Sequence, residues 1–244
     1  PGKFTLFPRF RLLLGSASSI MDAKERGFVS QNWEILGGIG NMNTILIGIA
    51  GGTGSGKTSA LNAIRDLGGT VIDCDAVYHK MVAENQDLRH AIEVKFHGVF
   101  NSDGSLNRKK LGELVFENKE RMEQLNEVIY RFLVPEVQRL CQEGGDLVAI
   151  DAINLVESGA DSICDKTIAI TAPMELRVRR ITARDGIDER YARMRISAQK
   201  SDEFYRGKCD YELSNTAETA EAFQSAAQIF FQRLIEELRE EKDD

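Results

Sequence analysis

The stretch Gly51-Gly52-Thr53-Gly54-Ser55-Gly56-Lys57-Thr58 fits the pattern G-x-x-x-x-G-K-[ST] and directly follows the apolar run 45–50. A glycine-rich turn of this kind aims successive backbone N–H groups at one anion, and the helix pattern that follows adds the positive end of its dipole. In such a loop the lysine reaches the β- and γ-phosphates, and the last hydroxyl ligates Mg²⁺. The stretch therefore predicts a site for ATP and Mg²⁺ in which residues 51–58 bind the nucleotide, Lys57 contributes to catalysis and Thr58 holds the metal.

Strand-like and helix-like segments alternate from residue 44 onward, which is typical of a parallel sheet with helices on both faces. The predicted strands span 44–50, 70–73, 146–151, 166–171 and 211–214. The predicted helices span 57–67, 76–84, 87–97, 107–117, 119–142, 173–184, 187–200 and 217–241. Proline has no N–H and clashes with the preceding turn, so Pro135 is expected to kink or split the helix 119–142. The predicted fold is α/β, a three-layer P-loop sandwich with a parallel core sheet.

Composition limits the partners of the chain. It has 244 residues and a formal net charge of −7, and an acidic balance argues against nucleic acid as the main partner. No apolar run approaches the length of a membrane span. The four cysteines lie far apart and form no C-x-x-C pair, which fits a reducing cytoplasm better than a disulfide framework or a zinc site. We therefore expect a cytoplasmic protein that acts on a small molecule and has no nucleic-acid or membrane partner. The oligomeric state is not indicated.

The first part of the chain carries no motif. Residues 1–20 contain Lys3, Arg9 and Arg11 and no acid, and their short apolar run is weak for a signal peptide. The alternation of strands and helices begins only after Met42. We interpret residues 1–41 as an N-terminal extension of unknown role and residues 42–244 as the working domain.

Two carboxylates follow the second predicted strand, in Val71-Ile72-Asp73-Cys74-Asp75. In open α/β sheets, ligands bind beyond the carboxyl ends of the strands, so a carboxylate here lies close to the P-loop. It is placed to accept a proton from an attacking hydroxyl, although aspartate is also a good helix N-cap. Position alone does not decide which of Asp73 and Asp75 is the base. Asp151, at the end of the third strand, is a candidate to hold Mg²⁺ through water or to be a plain cap.

These motifs together resemble those of the dephospho-coenzyme A kinase family. After the P-loop and the strand end 71–75, the likeness continues through Asp103-Gly104-Ser105-Leu106-Asn107-Arg108 and Val115-Phe116, and then through Arg180, Arg184, Gln199 and Asn215. It covers about residues 44–235. The resemblance implies ATP-dependent phosphorylation of the ribose 3′-hydroxyl of dephospho-CoA, which gives coenzyme A in the last step of its biosynthesis. It also implies that the helical region of about 76–142 binds the acceptor substrate and that about 173–200 forms an arginine-rich lid.

The resemblance assigns roles to individual residues. Asp75 matches the catalytic base of the family and also contacts the acceptor, and Arg180 matches the phosphate-binding arginine of the lid. Arg184 follows Arg180 by four residues, on the same helix face, and is expected to bind the nucleotide with it. Arg108 is expected to bind the acceptor or to orient the helical insertion.

Two segments depart from the pattern of the family and leave alternatives open. The family usually has His-Pro where this chain has Tyr130-Arg131, and Pro-Leu where it has Ile153-Asn154. Both changes lie where an acceptor would bind, so another small hydroxyl compound, such as a nucleoside or a sugar, is an alternative acceptor. A nucleotide-binding homologue without turnover is a further alternative.

Overall fold

A computed structural model describes residues 44–116, 118–152 and 155–243. One five-stranded parallel sheet, in the order β2-β3-β1-β4-β5, forms the centre of the molecule. Its strands are β1 Ile45–Ala50, β2 Thr70–Asp73, β3 Leu147–Asp151, β4 Lys166–Thr171 and β5 Tyr211–Ser214. All five predicted strands are confirmed to within one residue at each end.

Helices follow or connect these strands. They are α1 Lys57–Asp66, α2 Cys74–Glu84, α3 Gln86–Lys95, α4 Arg108–Val115, α5 Lys119–Glu143, α6 Met174–Asp185, α7 Glu189–Ser197, α8 Asp202–Arg206 and α9 Ala220–Asp243. The predicted helices are confirmed with small differences at their ends. The sequence did not predict α8 or the 3₁₀ turn Ala160–Ile163, because segments of four or five residues are too short to show a helical period.

Helix α5 contradicts the split that was expected at Pro135, whereas the kink stays a prediction. It runs without a break from Lys119 to Glu143 and contains Pro135, so this proline does not split the helix. The neighbouring side chains Leu133, Val134 and Val137 are buried in the core, and their packing outweighs the one backbone hydrogen bond that a proline removes.

The central strand β1 shows why the molecule has three layers. Ile45, Ile47 and Ile49 pack with buried side chains of α1 and α9, whereas Leu46 and Ala50 pack with those of α2 to α5. Because successive side chains of a strand point to opposite faces, the continuous apolar run of β1 supplies both cores. The P-loop leaves the carboxyl end of this strand, so it is held by the most buried part of the fold.

The layer of α1 and α9 provides a stability prediction. Replacement of Phe231 by alanine should lower the free energy of unfolding by about 3–5 kcal/mol, because its ring is fully buried and the substitution leaves a cavity. The matched control is Ile229→Ala on the same helix, whose side chain is 57% exposed and whose loss should change the stability by less than about 0.5 kcal/mol. Urea denaturation of both variants measures the difference, and equal effects would contradict this assignment of the core.

Two sequence predictions lie outside the described residues: the extension 1–41 and the segment Ile153-Asn154. Among the helices that the structure describes, none combines the length and the apolar character that crossing a membrane requires.

Candidate active site

The register of the sheet brings the predicted site residues to one edge. Asp73 at the end of β2 is paired with Asp151 at the end of β3, and Asp151 is paired in turn with Ile49 of β1. The P-loop begins just after Ile49, so the two carboxylates and the loop all lie at the carboxyl ends of neighbouring strands. This is the place where open α/β sheets bind ligands.

Glycine is required in the P-loop by its backbone. Gly51, Gly54 and Gly56 have φ values of +139°, +77° and +110°, a region that side chains with a Cβ atom rarely adopt. Gly56 is also the N-cap of α1 and supplies no side-chain cap. In contrast, α2 to α5 are each capped by an aspartate or asparagine side chain. The first turn of α1 is therefore suited to an external anion.

Three consecutive carbonyl groups of the loop accept hydrogen bonds from outside it. The donors are Nε of Arg177 to Thr53 at 2.9 Å, Nη1 of Arg180 to Gly54 at 3.2 Å, and Nδ2 of Asn215 to Ser55 at 2.8 Å. In a trans peptide the carbonyl and the following N–H point in opposite directions, so these contacts direct the N–H groups of Gly54 and Gly56 away from the bound side chains, while the N–H of Ser55 donates to the Gly52 carbonyl at 3.3 Å. A row of N–H groups on one side of a turn is an anion site, and the donor set fits phosphate.

Lys57 and Thr58 lie in the first turn of α1, beside this row of N–H groups. The ammonium group of Lys57 donates to the carbonyl of Gly51 at 2.6 Å, so the side chain folds back along the loop. Thr58 is exposed, and its hydroxyl is a suitable oxygen ligand for Mg²⁺. Within the described ranges, no group of three or more His, Cys, Asp or Glu residues could hold a metal ion.

The two aspartates after β2 have different surroundings. Asp73 is the N-cap of α2, and its Oδ1 accepts the N–H of Ala76 at 3.0 Å. Asp75 is half-buried in the first turn of α2. Cys74 lies between them and is buried, and its thiol has a raised pKa, first because of burial and then because of the nearby carboxylates of Asp151, Asp75 and Asp73. Three carboxylates therefore surround this strand end, and that of Asp73 caps α2.

Arg108 reaches the same helix. Its Nη2 lies 3.2 Å from Nδ1 of His79, which follows Asp75 by one helical turn. The pKa of His79 is lowered by burial and by the Arg108 guanidinium, while Asp73 opposes this shift. A neutral His79 can accept the hydrogen bond from Arg108. The pair thus places a cation on the Asp75 side of α2.

Of the two lid arginines predicted to bind nucleotide, the structure brings only Arg180 to the P-loop. Besides its contact with Gly54, its Nη2 donates to Oδ1 of Asn215 and to the carbonyl of Ala217, both at 2.9 Å. Arg184 is exposed, and its guanidinium pairs with the adjacent Asp185, whose pKa falls to about 2. The role of Arg184 in nucleotide binding stays a prediction.

Sequence reasoning missed the part that Arg177 takes in this site. Arg177 precedes Arg180 by three residues, and that spacing places both on one face of α6. The sequence signal, a spacing of one helical turn from Arg180, was present. Arg184 has the same spacing on the other side of Arg180, next to the last residue of α6, so spacing alone did not separate the two arginines. Gln199 also contacts the loop, because its Oε1 accepts the N–H of Thr53 at 2.7 Å.

Comparisons with known proteins agree with this geometry. A protein-family model described as dephospho-CoA kinase matches residues 45–221. A dephospho-CoA kinase of Dehalococcoides mccartyi is 38% identical over 162 residues, which are 64% of this chain and 81% of that protein. One from Fusobacterium nucleatum is 33% identical over 184 residues, which are 75% and 95% of the two chains.

Two solved structures are also similar to this chain. A dephospho-CoA kinase from Campylobacter jejuni has a TM-score of 0.56 and 25% identity, and the match covers 78% of this chain and 97% of that one. The crystal structure of a Thermus thermophilus protein has a TM-score of 0.59 and 28% identity, and the match covers 78% and 98%. The similarity thus extends over nearly the whole length of both solved chains.

Proposed function

This chain belongs to the dephospho-CoA kinase family, and on that premise we propose that it transfers the γ-phosphoryl group of ATP to the ribose 3′-hydroxyl of dephospho-CoA. The observation that supports this most directly is the convergence of a phosphate cradle and a carboxylate at adjacent strand ends. The match to the family continues from the first residue of β1 to the start of α9, so it includes every element that carries a site residue.

In this proposal, the nucleotide phosphates bind to the loop Gly51, Gly52, Thr53, Gly54, Ser55 and Gly56 and to the start of α1. Lys57 neutralises charge on the β- and γ-phosphates, and its single ammonium group can leave the Gly51 carbonyl for a phosphate oxygen. Arg180 lies beside the loop and stabilises charge on the transferring group. Thr58 is the residue that would hold Mg²⁺, and the ion would offset charge on the phosphates.

Asp75 is the proposed base. It lies one residue after the capping contact of Asp73, so the two carboxylates can divide the roles: Asp73 fixes the start of α2, and Asp75 accepts the proton of the acceptor hydroxyl. Arg108, held against His79 on the same helix, is proposed to bind the negatively charged diphosphate of dephospho-CoA.

The helices have separate tasks in this proposal. The working domain is 42–244. Its helical region of about 76–142 holds the acceptor, and the region of about 173–200, which contains α6 and α7, closes over the nucleotide. We also propose a cytoplasmic location, where ATP is available.

A panel of acceptors tests the substrate. With Mg·ATP, dephospho-CoA should give rapid ADP release, whereas uridine, pantothenate and coenzyme A should give less than about one-hundredth of that rate, because only dephospho-CoA presents a free 3′-hydroxyl together with the diphosphate. Coenzyme A is the matched control, since it differs only in carrying the 3′-phosphate. ³¹P NMR of the product should show a new phosphomonoester. Faster turnover of uridine would instead support a nucleoside kinase, and no turnover with any acceptor would support a nucleotide-binding homologue.

A further inference from the structure

Arg177 takes no direct part in the proposed transfer, yet it is the most deeply buried cation of this site. Its side chain is 4% exposed, and burial lowers the pKa of its guanidinium. A cation is costly to bury unless it is paired and hydrogen-bonded, so its contacts indicate what holds it in place.

The guanidinium of Arg177 joins the P-loop to α8. Its Nε donates to the carbonyl of Thr53 at 2.9 Å, and its Nη1 donates to Oδ1 of Asp202 at 2.9 Å. The second carboxylate oxygen of Asp202 accepts the N–H of Ala172, just after β4, at 3.4 Å. The position of the Thr53 peptide is therefore tied to the central sheet through two side chains.

The loop also packs directly on Arg177. A Cβ atom at Gly52 would overlap Nη2 of Arg177, which is buried and has no hydrogen-bond partner among the described residues. A Cβ atom at Gly54 would lie 3.0 Å from the backbone carbonyl oxygen of Arg177. Two of the P-loop glycines thus permit the close approach of this one residue, in addition to the torsion angle that Gly54 requires.

We propose that Arg177 is a positioning residue: it holds the Thr53 carbonyl outward, and thereby turns the N–H of Gly54 toward the nucleotide phosphates. The inference follows from peptide geometry, because the Thr53 carbonyl and the Gly54 N–H belong to one planar group. Arg180 and Asn215 bind the carbonyl groups of the next two peptides. This inference about Arg177 rests on the proposed function only because it takes a nucleoside triphosphate as the ligand.

The test compares nucleotide binding in Arg177→Gln, Arg177→Lys and wild type. Both variants should bind Mg·ADP at least about tenfold more weakly by calorimetry. Lysine keeps the charge, but one ammonium group cannot reproduce the fork that serves both Thr53 and Asp202. The KM for dephospho-CoA should stay within about twofold of the wild-type value. In ¹⁵N-resolved NMR, the Gly54 amide should shift strongly when ADP binds to wild type and less in Arg177→Lys.

The matched control is Arg206→Gln. Arg206 of α8 forms a bidentate pair with Glu212 of β5, and its side chain is 48% exposed. This variant should bind ADP like wild type. Should Arg177→Gln fail to fold, Asp202→Asn serves in its place, because it keeps the shape of the partner and weakens its hold on Arg177.

The proposal is overturned if Arg177→Lys and Asp202→Asn bind ADP within twofold of wild type, with an unchanged Gly54 signal, while their melting temperatures fall. Arg177 would then hold α6 to the sheet without setting the loop. Because ADP binding is measured without an acceptor, a failure of the dephospho-CoA assignment in the acceptor panel would leave this result interpretable.

Discussion

Replacement of Lys57 by alanine should lower kcat by about 10²–10³-fold, the effect expected when one preorganised cation is removed from a transferring phosphoryl group. Lys57 lies in the first turn of α1 and its Nζ contacts the Gly51 carbonyl, so the ammonium group lies within the loop that we propose binds the phosphates. A neutral methyl group at this place cannot offset charge that develops on the γ-phosphate. Steady-state ADP release with dephospho-CoA measures the loss.

The control for Lys57→Ala is Lys109→Ala. Lys109 is an exposed lysine of α4 paired with Glu113, and its loss should leave kcat unchanged. The melting temperature of Lys57→Ala should stay close to that of wild type, because the loop is held by Arg180 and Asn215 as well. Full turnover with unchanged ATP affinity in Lys57→Ala would refute the phosphate-binding role of the loop lysine.

Asp75→Asn should lower kcat by at least about tenfold, and a positioned general base is worth roughly 10²–10⁴-fold. Asparagine keeps the size of the side chain and can still form hydrogen bonds, but it cannot accept the proton of the 3′-hydroxyl. Phosphoryl transition states are often loose, so the loss can fall at the low end of that range. ATP affinity should change little, because Asp75 is proposed to act on the acceptor hydroxyl and not on the nucleotide.

The matched variant for Asp75→Asn is Asp73→Asn. Asparagine is as good an N-cap as aspartate, so the contact with Ala76 and the start of α2 should persist, and kcat should fall less than in Asp75→Asn. A larger loss in Asp73→Asn at equal stability would exchange the two roles. If neither variant lost activity, proton transfer to a carboxylate at this strand end would not contribute to the reaction.

Local patterns in the sequence were sufficient to predict most of the fold. The run 45–50 is apolar at every position except Gly48, as expected for a strand buried on both faces, and the octapeptide that follows has one well-known conformation. The split expected at Pro135 does not occur, because the cost of a proline is local, whereas the packing of α5 against α2, α3 and α4 depends on residues distant in sequence. Helix α8 was missed because five residues carry no period.

The site was predictable where a motif carried it and not where tertiary contacts did. Lys57, Thr58 and the Asp73–Asp75 segment could be placed from spacing and from the position of strand ends. The choice between Arg177 and Arg184 could not, because both lie one turn from Arg180 and only the contact of α6 with the loop separates them. Asp202 gave no sequence signal, since it meets Arg177 only after α8 has docked beside the end of β4.

The position of the helical insertion has a consequence for how this enzyme family can diversify. The helices α2 to α5 lie in one segment of the chain between β2 and β3, whereas α6, Gln199 and Asn215, which donate or accept hydrogen bonds at the P-loop, all lie beyond β4. If this single segment binds the acceptor, exchanging the segment between paralogues would change the acceptor specificity. The residues that bind the phosphoryl donor would stay the same. Recombination at two points of the gene would then suffice to direct the same phosphoryl transfer to another alcohol.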